Sequence, residues 1–507
     1  MSKIDEKEYW VPEHVREYLR SLGFVLPLEA MEEHIRNWHA WMSATGDFYD
    51  YRDTDGFGRI YEVHRRSIHP AMRVCNEWGS LLLNDKTQVV CDAQECTDWL
   101  AGFFNETGFM PQAQNTIVRA FGMGTGAWAL WVDADAKKVR VRQYDARMVL
   151  PLTWDEEGVT ECAFVTRVFY RGKAVDQLQM HVRGALPDGG RDGLQEELSI
   201  PSLSHGNRAE PSQSECRETY KIVTVCFDED GNVIEPAGVC MEYDTGCTTP
   251  TFAIVKPAID NTRVDMSPYG QSVFADAVDA IQAVDLAFDA LINEVDVSKM
   301  RIFLSDVMFD KETSGSGKSV SIPFGRQDCT VFRKVMSSDD MVQEFAPALR
   351  TGSQAEAFRI ALQMLGDLTG FGITYFDFDD VGYMKTATEV SSDNSALMRN
   401  IAKHEHVLER SIAQISRAVM HVARGFGESL PEEGCIKVTF DDSIITDTSA
   451  AKLQDMAEVG LTLWPWEYRV RWYGEDEQTA RERARGLGAG QIDGEPGRVA
   501  ARHARGL

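Results

Sequence analysis

The sequence predicts an α+β protein: a mixed helix-and-sheet domain, two long helical stretches bracketing a small β insert, and a short helical unit at the C-terminal end. Three observations predict it. The hydrophobic period changes from helical to extended at Gly122-Met-Gly-Thr-Gly126, an uninterrupted helical pattern runs from Ser267 to about Val297, and a longer one runs from about Thr386 to Arg424. Helices that long exceed what an ordinary compact domain accommodates. The chain has 507 residues, so several structural units are expected rather than one core.

In chain order, amphipathic helical stretches are expected at Pro12 to Leu22 and Leu28 to Ser43, then a polar linker from Tyr49 to Phe57. A third helix is expected from Tyr61 to Leu83, with Ile68, Met72, Cys75, Trp78 and Leu82 on its inner face and Pro70 kinking or restarting it. A helix from Pro111 to Phe121 runs into the glycine turn. Extended segments follow at Trp128 to Val132, Val139 to Tyr144 and Cys162 to Tyr170. The polar, Gly/Pro/Ser-rich span from Leu186 to Ser214 reads as a loop, and Tyr220 to Phe227 pairs with Val233 across Asp228-Glu-Asp-Gly-Asn232 as a hairpin. The first half is therefore helices packed on a largely antiparallel sheet.

From Ser267 the pattern is a rod. Pro268 suits a first helical turn, and Phe274, Val278, Ile281, Phe288, Ile292 and Val295 form one stripe. At 1.5 Å per residue the rod would be roughly 43 Å long. Its charged residues, Asp276, Asp279, Asp285, Asp289, Glu294 and Asp296, are all acidic. Short strands are expected at Met300 to Met308, Ser319 to Phe324 and Cys329 to Val335, and a helix at Ser353 to Leu368. Gly370-Phe-Gly372 breaks that helix ahead of an aromatic and acidic segment. After the long helix come a strand at Ile436 to Phe440, helices at Ser449 to Val459, Pro465 to Trp472 and Glu475 to Leu487, and a mobile Gly-rich tail from 488 to 507.

Composition narrows the functional classes. With 79 acidic against 52 basic side chains the formal charge is -27, which argues against a protein that grips nucleic acid through clustered Lys and Arg. A 43% hydrophobic fraction argues against wholesale disorder. No run of about 18 apolar residues appears, so no membrane span is expected. The charged start MSKIDEKEYW does not fit a secretory signal, and the chain is expected to fold where it is made. Ten scattered cysteines without C-x-x-C spacing read as reduced and structural.

Several motifs tempt and fail on context. Gly315-Ser-Gly-Lys318-Ser319 ends like a phosphate loop, but Glu312 stands where that loop needs glycine, and a strand follows where a helix is required. It reads as a hairpin turn. Gly122, Gly124 and Ala127 match G-x-G-x-x-A, yet they follow a helix and precede a strand, the reverse of a dinucleotide site. His404-Glu405-His406 places its histidines about 200° apart on a helix, where they cannot share a metal. Asp377, Asp379 and Asp380 offer oxygen ligands but lack the glycine turn and terminal Glu of a calcium loop. Neither a catalytic residue nor a cofactor or metal site is expected.

Taken in order, the elements and several local strings resemble the portal proteins of tailed bacteriophages, ring-shaped head-to-tail connectors through which DNA enters and leaves the capsid. The resemblance spans roughly residues 60 to 487. Gly122-Met-Gly-Thr-Gly126 leading into paired strands and Pro151 looks like the family's wing. Ser267-Pro-Tyr-Gly-Gln-Ser272 before the acidic rod with Asp285 looks like the start of its stem helix. Lys385-Thr-Ala-Thr-Glu-Val390 with Ser391-Ser-Asp-Asn-Ser395 is similar to the start of its long helix, and Gly460-Leu-Thr-Leu-Trp464 with Gly474-Glu-Asp-Glu-Gln-Thr-Ala480 to its crown.

The resemblance implies a portal fold: an N-terminal helical segment (1–60), an α+β wing (61–266), a stem helix (267–297), a small β clip (298–340), a second stem helix (341–369) and a tunnel loop (370–385). The long helix and wing return (386–445), crown (446–487) and tail (488–507) complete it. In the tunnel loop, Phe371, Tyr375, Phe376, Phe378 and Tyr383 would narrow a DNA channel or pack between neighbouring subunits, and Asp377, Asp379, Asp380 and Lys385 would share its surface. Lys299, Arg301 and Lys385 would make transient phosphate contacts. The resemblance further implies a non-enzymatic homo-oligomer, a dodecameric ring in the virion at a capsid vertex, assembled in the host cytoplasm. Double-stranded DNA, the terminase large subunit, major capsid and scaffolding proteins and a head-completion or adaptor protein would be its partners. Two readings from other classes stand beside it: a cytosolic α/β enzyme using Asp377 to Asp380 as a metal site, and a non-ring helical scaffold protein.

Overall fold

The computed structural model describes residues 10–54, 58–84, 86–133, 137–170, 172–184, 219–236, 239–298, 301–305, 311–313, 319–321, 331–334, 342–345, 350–376, 395–440, 452, 455–459, 464–473 and 476–487. Its contacts divide the chain into two units, Met1–Val381 with Arg399–Phe440, and Gly382–Met398 with Asp441–Leu507. The mixed α+β class holds.

Helices α1 (Glu13–Ser21) and α2 (Leu28–Ser43) lie where the apolar periodicity puts them. The expected polar linker and the first third of the next helix are instead a hairpin, β1 (Asp50–Thr54) pairing antiparallel with β2 (Ile60–His64). Apolar and polar residues alternate in Tyr61-Glu-Val-His64, and the helix proper, α3 (Pro70–Leu82), begins at the proline, whose fixed φ suits a first helical turn. Strand β3 (Gln88–Cys91) and helix α4 (Gln94–Thr107) follow, with no counterpart in the sequence reading, and then α5 (Phe109–Met123).

The body is two sheets face to face. One has the order β12 (Phe252–Val255), β4 (Gly126–Asp133), β5 (Lys138–Asp145). The other runs β10 (Val233–Ile234), β9 (Tyr220–Phe227), β8 (Lys173–Arg183), β7 (Gly158–Tyr170), β6 (Val149–Asp155), with β11 (Glu242–Asp244) also on β9. All these pairings are antiparallel. Pro151 sits in edge strand β6 beside a register shift, where a missing N–H is tolerated. The facing surfaces bury Ala127, Ala129, Tyr144 and Phe252 against Val149, Cys162, Phe164 and Tyr220. Helix α5 packs beneath the smaller sheet, with Phe109 edge-on to Trp128 at 5.4 Å.

The rod is shorter than its pattern predicts. Residues 267–277 form turns, and α6 runs Val278–Val297. The insert holds β13 (Arg301–Ser305), parallel to β16 (Val331–Lys334) and antiparallel to β17 (Val342–Phe345). Strands β14 (Lys311–Thr313) and β15 (Ser319–Ser321) pair antiparallel around Gly315 to Lys318, in line with the hairpin reading of that motif; the turn itself lies outside the described residues. Helix α7 (Thr351–Leu368) returns alongside α6. Helix α8 (Ser395–Gly425) leads to β18 (Ile436–Thr439), which pairs with β3. In the second unit, α9 (Pro465–Tyr473) packs with α10 (Glu477–Leu487), Arg481 lying over the Trp466 ring at 4.4 Å. The loop 186–214 and the tail 488–507 lie outside the described residues.

Candidate functional site

The two motifs at the start of the paired strands and of the rod meet in space. Gly124 has φ +84°, a conformation side chains rarely adopt, and a Cβ on either Gly124 or Gly270 would come closer than 3.0 Å to the other's carbonyl oxygen. Two backbones therefore cross in contact. Thr125 Oγ1 accepts from Gly270 N at 3.0 Å, Val273 N donates to Phe121 O at 2.9 Å, and Tyr269 donates its hydroxyl to Val149 O at 2.5 Å. These long-range bonds hold residues 267–277 out of the helix their apolar spacing predicts.

Helix α6 then leaves the body. Ile281 and Val284 are fully buried, whereas Leu286 and Val295 are each 48% exposed. At its midpoint lies Asp285, itself fully buried. One carboxylate oxygen accepts from Tyr49 Oη and from Ser67 Oγ, both at 2.7 Å, and the other from Ile68 N at 3.0 Å. Burial, and then the carboxylate, push the Tyr49 phenol well above its ordinary range. The β1–β2 hairpin is thus tied by both ends to the middle of the rod. Asp285 stood out in the sequence; Tyr49 and Ser67, more than 200 positions earlier, carried no signal there.

At the far end of α6, Glu294 receives Arg350 in a fork, Nε at 3.1 Å and Nη2 at 2.8 Å, and also the Arg350 backbone N at 3.2 Å. The guanidinium holds the Glu294 carboxyl below the usual carboxylate range. This clamp joins the two helices where the insert departs. Farther along α7, toward its other end, Ile360 (47%), Met364 (53%) and Leu368 (51%) are exposed on one stripe.

Of the expected channel residues, three are described. Phe371 and Phe376 are buried and Tyr375 is half-buried. Phe371 lies 4.6 Å from both Trp78 and Tyr375, and Arg73 stands 5.5 Å over Phe376. Tyr375 donates to Glu77 Oε2 at 2.8 Å, and burial with that carboxylate pushes its phenol up. Trp78 Nε1 donates to Thr369 O, and Asn400 to Gly370 O. These aromatics pack inside their own chain, on α3, and anchor the segment at its root. Asp377, Phe378, Asp379, Asp380, Tyr383, Lys385 and Lys299 lie outside the described residues; Arg301 is placed in β13 opposite Phe345.

Beside this anchor, His404 is buried against Trp78 and Phe121 and accepts from Ala258 N at 3.0 Å, with burial pulling it down to about 4. His406, two positions on, is exposed, on a different side of α8 from buried His404. Among the described residues no His/Cys/Asp/Glu group is placed to hold a metal, and no helix is long and apolar enough to cross a membrane.

No protein-family model matches the chain, and no curated protein matches it. Among solved structures, it is similar to a chain of "Neck of native GTA particle computed with C12 symmetry" (12% identity, TM-score 0.35, covering 79% of this chain and 89% of that one). It is also similar to a chain of "Neck of empty GTA particle computed with C6 symmetry" (9%, 0.39, 86% and 92%) and one of "Virion of native gene transfer agent (GTA) particle" (11%, 0.35, 86% and 92%). At these identities and scores the likenesses carry no argument for fold or role.

Proposed function

We propose that the chain is the repeating subunit of a ring-shaped channel of the tailed-phage portal type, set at a capsid vertex, through which double-stranded DNA is packaged, retained and released. The observation that carries this reading is the exposed apolar row on α7, the helix that runs alongside α6. Ile360, Met364 and Leu368, four residues apart and so on one stripe, are each about half exposed. Covering such side chains gains roughly 1 kcal/mol apiece, enough to drive association of a repeated face. A neighbouring copy is the natural cover, and a head-to-tail contact repeated by rotation closes into a ring.

Charge supports the same reading. Helix α6 carries acidic side chains and neither Lys nor Arg, with Asp285 and Glu294 engaged inside the chain. An acidic bore repels phosphates and keeps a duplex centred, so that DNA is passed rather than held. The subunit itself needs no chemistry: ATP hydrolysis belongs to the terminase large subunit docked at the 298–340 insert, later replaced by a head-completion or adaptor protein, while major capsid and scaffolding proteins surround the ring during assembly. Residues 377–385, on a root fixed by Phe371 and Tyr375, narrow the bore, and Lys299, Arg301 and Lys385 supply brief contacts.

Light scattering with negative-stain microscopy tests this. The wild-type chain is expected to form annular particles of about a dozen copies, and Met364→Glu with Leu368→Glu to leave a folded chain that assembles at least about tenfold less readily. A chain that stays monomeric or dimeric at every concentration, or a double variant that assembles as readily as wild type, overturns the proposal.

A further inference from the structure

The sheet β12–β4–β5 treats its two edges differently. At β12 the outward carbonyls are taken up by helix α8: Gln414 donates to Phe252 O at 2.6 Å and Ser411 to Ile254 O at 2.8 Å. At β5 the partner is β4 alone among the described residues. An unpaired edge is a template for another strand unless something blunts it. Beside the outer half of β5 lies an open groove of about 1060 Å³, with the stacked rings of Trp99 and Phe103, 5.4 Å apart, and with Phe426 in its lining. Lys137, Lys138 and Arg140 are exposed along the strand, and the groove also includes Glu106 and Glu428.

The β1–β2 hairpin presents the complementary feature. Its strands pair only with each other among the described residues, leaving both outer edges free. Eight of its ten strand residues are exposed, Ile60 at 71% and Tyr61 at 47% among them. A lone two-stranded ribbon is marginal in water. It carries Asp50, Asp53 and Glu62 against Arg52, a net negative surface. Its ends are fixed on Asp285 of α6, which leaves its strands outside the body of the fold.

We propose that the β1–β2 ribbon of one copy adds as a strand pair to the β5 edge of a second copy, laying Ile60 over the Trp99–Phe103 groove and Asp50 and Glu62, on the same face of the ribbon, against Lys137, Lys138 and Arg140. The chain rather than a foreign peptide is the occupant because it bears both halves: an acidic ribbon with free edges and a basic groove with a free edge. The two patches differ, so the contact is head-to-tail and propagates around a ring. The inference rests on the reading that the chain assembles, and adds a second, separate contact to it.

The full chain tests it through two charge reversals on exposed residues, Lys138→Glu with Arg140→Glu, and Asp50→Lys with Glu62→Lys, made separately and together. Each pair is expected to raise the concentration for half-assembly by about tenfold, and the combination to bring it back to within about threefold of wild type. Amides of Lys138 to Val141 are expected to exchange more slowly in assembled than in unassembled wild-type protein. If rings form but either pair leaves the midpoint within about twofold, the combination fails to restore it, or exchange at β5 is unchanged, the ribbon contact is overturned and the ring reading stands. A wild-type chain that never assembles overturns both.

Discussion

Replacing Asp285 by alanine removes the acceptor from three donors at once: the Tyr49 hydroxyl and the Ser67 hydroxyl, each at 2.7 Å, and the Ile68 amide at 3.0 Å. Tyr49 is fully buried, while Ser67 and Ile68 are half-buried and open to water once the carboxylate is gone. An orphaned buried donor costs about 1–3 kcal/mol, and losing one partner of a buried charged network typically about 3–5 kcal/mol. The expected loss for Asp285→Ala is therefore about 3–5 kcal/mol. Asp285→Asn should cost less, about 1–2 kcal/mol, because hydroxyls can turn and accept from the new amide while its oxygen keeps the Ile68 N–H. Urea titration followed by Trp41 fluorescence reports the joint, since that ring lies edge-on to Tyr49 at 5.6 Å. Hydrogen exchange over residues 49–68 locates the loss. An alanine variant within about 1 kcal/mol of wild type with unchanged exchange there would refute the reasoning. An asparagine variant as costly as alanine would show that the charge, not the count of donors, holds the joint.

Two further outcomes follow from packing. His404 is held neutral by burial, with its folded value near 4 against 6.5 when free, so the unfolded chain binds the proton first as pH falls. Its contribution is full above about 6.5 and is lost between there and 4, up to about 3 kcal/mol; a histidine resonance of His404 titrating near 6.5 in the folded chain contradicts this. At the backbone crossing, Gly270→Ala is expected to destabilise by about 1–3 kcal/mol, and Gly124→Ala by more because it also carries a left-handed φ, whereas Gly352→Ala in α7, with open space around it, should be neutral or stabilising; equal melting temperatures for all three would count against the crossing.

What the sequence made legible follows from where the stabilising contacts lie. Helix α2 matches its expected limits because its apolar face is set by local spacing. The rod does not, since Tyr269, Gly270 and Val273 bond to residues over 100 positions away, and such bonds leave no periodic trace. Strand β8 was missed for a related reason. Its Gln177, Gln179 and His181 suggest solvent, yet all three are buried, bonded to Arg142, to Leu130 O and Tyr144, and to Thr251. At the candidate site, Phe371 and Tyr375 were visible as an aromatic cluster after a glycine break. That they face Trp78 and Glu77 rather than outward depended on α3, nearly 300 residues earlier. The exposed row Ile360, Met364 and Leu368 follows from spacing within α7, but that α6 lies alongside it is a property of the fold.

The Arg350 fork on Glu294 ties the C-terminal end of α6 to the start of α7 through side chains that do not involve the residues between them. The two helix ends already meet, so a segment of any length can start and finish there, and each doubling of that segment would add only about 0.6 kcal/mol of closure entropy. The 298–349 stretch is therefore expected to tolerate exchange or lengthening while the α6–α7 pair keeps its form.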